Sequence, residues 1–185
     1  MLDDAQIERW SRQILLPDVG GRGQLRLLGA RVGVAGEGPV AARCVELLRR
    51  AGIPVAIGGV ADDAELLVDL DAPPEAGGAL ARRAAATGTP LVRARLAGAA
   101  GTVDTLVGRP CGCCVAAERA AAEGDREPLA VPAAQAVAAL AAAEVVAVLL
   151  RAPRTGRRQR FDLATGDFAG TALVGSPCDV CGARA

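Results

Sequence analysis

The sequence contains no histidine, lysine, asparagine or tyrosine, so all 21 of its basic residues are arginine. Without histidine, a Ser-His-Asp triad and a histidine-ligated metal site are excluded. Without lysine, the chain can form neither a Schiff base nor the lysine–phosphate contact of a P-loop. Catalysis or ligand binding would therefore have to use cysteine, aspartate, glutamate, arginine, serine, threonine and backbone amides.

Charge and hydropathy restrict the class of partner. The 185 residues carry 21 acidic and 21 basic side chains, so nothing favours nucleic acid or an anionic membrane. The first ten residues are polar and do not resemble a signal peptide. The most apolar stretch, 131–150, is interrupted by Pro132, Gln135 and Glu144, which indicates a buried helix and not a membrane span. We expect a soluble, cytoplasmic protein with no membrane partner.

The hydrophobic pattern predicts strands that alternate with helices in one α/β domain spanning 1–185. Residues 1–30 form N-terminal helices, 31–107 a Rossmann-like half with a mostly parallel sheet, and 108–185 a zinc-containing half with an antiparallel continuation. Helices are predicted at 3–16, 24–28, 78–86 and 132–150, with another ending near 50 and one within 111–123. Strands are predicted at 31–35, 54–57, 66–70, 90–93 and 102–107, followed by a hairpin of 158–162 and 171–174.

A glycine turn joins the first predicted strand to its helix. Gly36 permits a tight turn, Gly38 lets backbone approach a phosphate, and the small Ala41 lets helix pack on strand. Such a turn can hold a nucleotide at the helix N-terminus. The alternative is a turn that serves only the fold. Pro39 removes one amide, and Glu37 places negative charge beside the expected phosphate position.

Two Cys-x-x-Cys knuckles are present, Cys111/Cys114 and Cys178/Cys181. Two such pairs can form a closed tetrahedral zinc site, each supplying two thiolates. Each knuckle follows a proline and includes or adjoins a glycine, which favours tight turns. The alternatives are reduced thiols without metal, or disulfides, which a cytosolic setting disfavours.

The two remaining cysteines are assigned different environments. Cys113 lies inside the first knuckle and is either a competing ligand or a spare thiol. Cys44 falls on the first Rossmann helix and is expected to be a small buried hydrophobe. A catalytic thiol would have only arginine or a helix N-terminus to lower its pKa.

Several motifs together resemble the MoeB/ThiF/HesA-like family, the bacterial relatives of ubiquitin-activating enzymes. They are QIERWSRQILLPDVG at 6–20, GQxxLL at 23–28, the glycine turn, GRPCxxC at 108–114, RFDxxTGDF at 160–168, and CxxCG at 178–182. The resemblance implies a dimer whose subunits combine a Rossmann-like half with an antiparallel continuation. It also implies a structural zinc ion held by the two knuckles.

The activity implied by this resemblance is adenylation of the C-terminal glycine of a ubiquitin-like sulfur carrier, with ATP and magnesium. Family members follow the second strand with an acid that holds ribose, then a segment whose arginine and essential lysine bind phosphates. Here the chain runs from Val60 almost directly to Glu65, so that segment is absent.

The magnesium site implied by the resemblance is altered as well. Alignment of the next strand places the metal-binding aspartate position on Ala72, with Asp71 one residue away as a substitute. An arginine usually found five residues further on is replaced by Gly77.

Arg12 matches the family arginine that reaches across the dimer to the γ-phosphate in the partner subunit. Such an arginine stabilises phosphoryl charge in trans. The alternative is that Arg9 and Arg12 are solvated, or that they pair with Glu8 and Asp18.

Three functions remain open from the sequence. The first is a non-catalytic subunit or scaffold that binds a catalytic homologue, as a homodimer or heterodimer, or binds a ubiquitin-like sulfur carrier. The second is a minimal adenylyltransferase in which Arg93 or Arg95 supplies the missing charge and Asp69 or Asp71 holds magnesium. The third is a binder of another nucleotide or a peptide.

Overall fold

The computed structural model describes residues 1–58, 63–115, 127–151 and 156–182. Seven strands form one sheet in the order β2-β1-β3-β4-β5-β6-β7. The helices are α1 (Asp4–Ile14), α2 (Gly20–Leu28), α3 (Gly38–Arg50), α4 (Pro74–Thr87) and α5 (Glu127–Leu149). The strands are β1 (Val32–Ala35), β2 (Val55–Ile57), β3 (Leu66–Leu70), β4 (Leu91–Ala97), β5 (Ala100–Leu106), β6 (Arg157–Asp162) and β7 (Asp167–Ala172).

The predicted division of the sheet is confirmed. Strand β1 pairs in parallel with β2 and β3, and β3 pairs in parallel with β4. Strands β4 to β7 then form an antiparallel meander. The fold is therefore a Rossmann-like parallel sheet with an antiparallel continuation, and the carboxyl ends of β1, β3 and β4 lie at one edge.

Several element boundaries differ from the predictions. Helix α2 begins at Gly20 and not near Gln24. Within it, Gly23 lies close to the C-terminal neighbour of α5, because a Cβ at Gly23 would lie 3.0 Å from Leu150 Cδ2. Helix α4 begins at Pro74, since proline is well tolerated in the first turn. Helix α5 includes Pro132 and begins at Glu127. The predicted helical part of 116–123 lies outside the described residues.

The last hairpin is tighter than the sequence suggests, because β7 begins at Asp167 and not at Thr171. The backbone N–H of Ala164 donates to Asp162 Oδ1 at 2.8 Å, and the Thr165 hydroxyl donates to Asp167 Oδ2 at 2.6 Å. Gly166, at a φ of 79°, completes the turn. These polar contacts replace the longer loop expected from hydropathy alone.

The sheet has a hydrophobic core on each face. The larger core lies between the sheet and helices α3 and α5, and the smaller one lies under α4. Helix α5 is long and apolar enough to cross a membrane by length and composition. However, Ala133, Val137, Ala141 and Val145 are fully buried in the larger core, as expected for the core helix of a globular domain.

Candidate functional site

The two knuckles meet in space. The Sγ atoms of Cys111 and Cys114 lie 3.8 Å apart, those of Cys111 and Cys178 are also 3.8 Å apart, and those of Cys114 and Cys181 are 3.9 Å apart. All four sulfurs lie within 4.8 Å of one another. A tetrahedron with metal–sulfur bonds of about 2.3 Å has edges of about 3.8 Å, so this arrangement fits a tetrahedral metal ion.

The first knuckle has two thiols in different electrostatic environments. Burial disfavours the Cys111 thiolate, but backbone N–H groups of Cys113 and Cys114 donate to its sulfur and lower its pKa. The first of these hydrogen bonds measures 3.4 Å. Burial raises the pKa of Cys114 to about 12. Metal binding must therefore displace a proton from Cys114, as is usual for thiolate sites.

The two other cysteines are separate from this cluster. Cys113 is exposed and is not among the four clustered thiols, although it lies between two of them in sequence. Cys44 is completely buried on α3, which confirms the expected environment. Burial also raises the pKa of Cys44 to about 12, so its thiol stays protonated and unreactive.

The glycine turn lies at the carboxyl end of β1. Gly36 has a φ of 124°, and a Cβ there would approach the Leu70 carbonyl oxygen to 2.0 Å. Gly36 is therefore required by the packing of the turn against β3. Gly38 has a φ of 82°, and a Cβ there would meet nothing within 4 Å. Ala41 is buried in the larger core.

A groove of about 610 Å³ runs from this turn along α3 towards the edge strand β2. Its apolar floor includes Val34, Ala41, Val45 and Ile57, and charged side chains surround it. The charged lining residues are Arg9, Glu37, Glu46, Arg49 and Arg50. The groove has room for a small organic ligand. An anionic group placed at the glycine turn would lie beside the negative charge of Glu37.

On the opposite face of the sheet, charged side chains alternate across four strands. Asp69, Arg93, Asp104 and Arg158 are successive cross-strand neighbours on β3, β4, β5 and β6. We call these four residues the charge row. Arg93 donates to Asp104 Oδ2 at 2.7 and 3.1 Å, and Arg158 donates to Asp104 Oδ1 at 2.6 Å. Asp104 therefore neutralises part of the charge of two arginines.

Arg95 lies beside the charge row and binds Asp69. Its two terminal nitrogens donate to Asp69 Oδ1 at 2.8 Å and Oδ2 at 2.6 Å, a bidentate pair. Arg95 Nε is also 3.9 Å from Asp71 Oδ1. Gly77 makes room for this pair, because a Cβ there would lie 2.9 Å from Asp69 Oδ2 and 3.3 Å from Arg95 Nη2. The two acids proposed to hold magnesium and the two arginines proposed to supply the missing charge therefore all have partners inside the protein.

The N-terminal helix presents Arg12 to solvent. Among the described residues Arg12 makes no ion pair, whereas the Arg9 guanidinium lies 5.2 Å from the centre of the Trp10 ring. Trp10 Nε1 donates to the Arg50 carbonyl at 3.2 Å, which fixes α1 against the end of α3. Trp10 therefore packs within its own chain, and the role of Arg12 in trans remains a prediction.

Sequence reasoning missed the pairing of the arginines with the acids. It named Arg93, Arg95, Asp69 and Asp71 separately, and Asp104 and Arg158 not at all. Alternation of charge on neighbouring strands was the available signal: Arg93 and Arg95 share one face of β4, and Asp104 comes at the matching position of β5.

Comparisons with known proteins agree with this architecture. No protein-family model matches the sequence. The SAMP-activating enzyme E1 of Haloferax volcanii is 42% identical over 52 residues, which are 28% of this chain and 19% of that enzyme. The chain therefore matches about a fifth of the length of this relative.

Solved structures extend the similarity over the whole fold. Escherichia coli MccB superposes with a TM-score of 0.71 at 15% identity, covering 95% of this chain and 72% of MccB. A heterocyclase in complex with substrate and cofactor superposes with a TM-score of 0.66 at 18% identity, covering 98% of this chain but 29% of that protein. Structures of MccB include complexes with ATP and with MccA.

The chain therefore has the fold seen in MccB, a Rossmann-like sheet with an antiparallel continuation, and it carries a four-cysteine cluster that can hold a metal ion. MccB and the SAMP-activating enzyme are both proteins of the MoeB/ThiF-like, E1-like family. This chain shares the fold of MccB, and its sequence matches the SAMP-activating enzyme over 52 residues.

Proposed function

We propose that this protein is a non-catalytic E1-like subunit or scaffold, which binds a catalytic homologue or a ubiquitin-like sulfur-carrier protein. The observation that carries the proposal is the engagement of Asp69 by Arg95 at the carboxyl edge of the parallel strands. Ligand chemistry in open α/β sheets takes place at this edge. Here the carboxylate that would serve a metal–nucleotide complex is already neutralised by the protein itself.

Two further features support a loss of ATP chemistry. The chain has no lysine to bind phosphates. Strand β2 ends at Ile57 and β3 begins at Leu66, which leaves no length for the phosphate-binding segment that the family resemblance implies. A protein that keeps the fold but lacks these groups is suited to binding another protein.

The surface of α1 and α2 is the proposed partner face. Exposed apolar side chains lie on or next to these two helices, and Arg12 is exposed beside them; the apolar residues are Ile7, Leu15, Leu16 and Leu25. Apolar side chains grouped on one face favour a protein interface. If the partner docked there is a catalytic homologue, its reactive site would lie close to Arg12. This partner is a second copy of the chain or a catalytic homologue.

We propose zinc as the metal of the cysteine cluster, with a structural role. Four thiolates fill a tetrahedral coordination sphere and leave no position for a substrate. The ligands come from the β5–α5 connection and from the C-terminal tail, so the ion would hold the tail on the sheet. A reduced site of four cysteines also fits a cytoplasmic location.

Partner binding is tested with the zinc-loaded protein mixed with purified catalytic homologues and with a sulfur-carrier protein, by size-exclusion chromatography with light scattering. We expect a stable complex that Leu15→Asp or Leu16→Asp abolishes. Val131→Asp is the matched control, because Val131 is equally apolar and exposed but lies on α5. A chain that stays monomeric with every such partner at micromolar concentration contradicts the proposal.

A minimal adenylyltransferase is the second candidate, and the groove beside Gly36 and Gly38 favours it. The groove is large enough for a nucleoside, and Gly38 leaves open space at the N-terminus of α3. Calorimetric titration with ATP and magnesium tests this alternative. Micromolar binding together with pyrophosphate exchange in the presence of a carrier protein would replace the scaffold proposal, and no heat up to millimolar ATP would eliminate the alternative.

A further inference from the structure

We propose that Arg95 is a built-in replacement for a divalent cation, and that it keeps closed a cation site which Asp69 and Asp71 would otherwise form. The inference deepens the proposed function and rests on its account of the loss of ATP chemistry. Its test measures cation binding without any partner protein, so either proposal can fail while the other stands.

The position of the Arg95 guanidinium supports this replacement. It binds both oxygens of Asp69 at 2.8 and 2.6 Å, and its Nε lies 3.9 Å from Asp71 Oδ1. One cationic group is therefore shared by two carboxylates at the end of β3. Both oxygens of Asp69 accept charge-assisted hydrogen bonds, which are stronger than neutral ones.

The burial of these groups makes the site unsuitable for magnesium. The Asp69 side chain is 1% exposed and that of Arg95 is 8% exposed. Asp69 Oδ1 accepts another hydrogen bond, of 3.1 Å, from the backbone N–H of Ala72. Magnesium in proteins usually keeps several water molecules and binds carboxylates that remain accessible. A magnesium ion would also be repelled by the guanidinium, so the residues present do not fit this metal.

The surroundings show what removal of the guanidinium would open. A cavity of about 370 Å³ adjoins the pair and is lined by Asp69, Ala72, Gly77, Arg93 and Arg95, among others. Because Gly77 carries no Cβ, the Arg95 guanidinium has room beside Asp69 Oδ2, which a Cβ at this position would approach to 2.9 Å. Without Arg95, Asp69 and Asp71 would lose the guanidinium that they share, and a divalent ion in the cavity beside Asp69 could take its place.

The first test uses Mn²⁺ as the probe, with zinc-loaded wild-type protein and Arg95→Met. Bound Mn²⁺ is measured by electron paramagnetic resonance, and Tm is measured with and without MgCl₂. We expect no wild-type binding below the millimolar range, and at least tenfold tighter binding by Arg95→Met. We also expect MgCl₂ to raise the Tm of Arg95→Met by several degrees, because a ligand that binds only the folded state stabilises it.

Two controls separate this effect from a general one. The double variant Asp69→Asn, Arg95→Met lacks the carboxylate as well, and its Tm should not respond to MgCl₂. Arg31→Met removes the partner of Asp63 in an exposed pair of 3.1 Å and should create no comparable Mn²⁺ site. This control shows whether removing the arginine partner of any carboxylate is enough to create a Mn²⁺ site.

Three results would overturn the proposal. One is Mn²⁺ binding by the wild-type protein that Asp69→Asn abolishes, because the site would then be open despite Arg95. Another is a folded Arg95→Met that neither binds Mn²⁺ nor gains stability from MgCl₂. The third is an Arg95→Met that is unfolded and that no concentration of MgCl₂ restores, because the cation would then not substitute for the guanidinium.

Discussion

Arg93 and Asp104 form a buried ion pair between β4 and β5, with nitrogen–oxygen distances of 2.7 and 3.1 Å. The same guanidinium donates to the carbonyl oxygens of Gly112 at 3.2 Å and Val115 at 3.1 Å. These two carbonyls flank Cys113 and Cys114. The pair therefore connects the sheet to the first cysteine knuckle through a single side chain.

Replacing Arg93 by Met is expected to destabilise the protein strongly. Removing one partner from a buried pair costs about 3–5 kcal/mol, because the remaining charge is left uncompensated. Arg158 still neutralises part of the Asp104 charge, so we expect the lower end of this range. Urea unfolding measures the change, and competition with a zinc chelator should show faster metal loss.

Arg31→Met is the matched control for this variant. Arg31 pairs with Asp63 at 3.1 Å, but more than half of each side chain is exposed. Exposed pairs contribute about 0–1 kcal/mol. Equal losses of stability in the two variants would show that the Arg93 pair has no special structural role.

Removal of the metal is expected to detach the C-terminal tail. Purified protein should contain one zinc ion per chain, and Cys178→Ser should lower this content and the Tm. A loss of about 3 kcal/mol corresponds to about 6–12 °C for a domain of this size. Elemental analysis and calorimetry measure the two quantities.

Cys113→Ser is the control for the zinc variants. Cys113 is exposed and lies outside the group of four thiols, so its replacement should leave both zinc content and Tm unchanged. If Cys113→Ser loses zinc while Cys178→Ser keeps it, the assignment of the ligands is wrong.

Most of the fold was predictable because its signals are local. Apolar runs such as 66–70 and the glycine turn after β1 identify a parallel sheet, and the paired knuckles indicate a metal site. The tight turn before Asp167 was harder to predict from the sequence, because its hydrogen bonds depend on particular side chains within a polar segment. The length of helix α2 was underestimated because glycines disfavour a helix locally, and the close approach of Gly23 to Leu150 is a tertiary contact that the sequence does not show.

The candidate site was less predictable than the fold. Arg95 and Asp69 are separated by a helix and part of two strands, and only the register of β3 and β4 brings them together. A sequence shows which charges exist but not which of them neutralise each other. For this reason the residues proposed as a phosphate clamp and a magnesium ligand turned out to bind one another.

The two glycines of the turn should respond differently to substitution. Gly36→Ala is expected to cause severe destabilisation or loss of folding, because the new Cβ would lie 2.0 Å from the Leu70 carbonyl oxygen. The new Cβ of Gly38→Ala would lie in open space, so this substitution should lower the free energy of unfolding only by the strain of the left-handed backbone, about 1–2 kcal/mol. Urea unfolding of both variants tests this, and similar stabilities for the two would contradict the packing role of Gly36.

The cysteines should divide into three classes in an alkylation experiment. Cys113 is exposed and lies outside the metal cluster, so iodoacetamide should modify it first in the native zinc-loaded protein, although burial of its sulfur raises its pKa. Cys44 should stay unmodified at pH 8, because it is fully buried and its pKa is raised to about 12. The four clustered cysteines should become reactive only after chelation of the metal. Mass spectrometry identifies the modified positions, and labelling of Cys44 before Cys113 would show that α3 is not packed on the sheet as described.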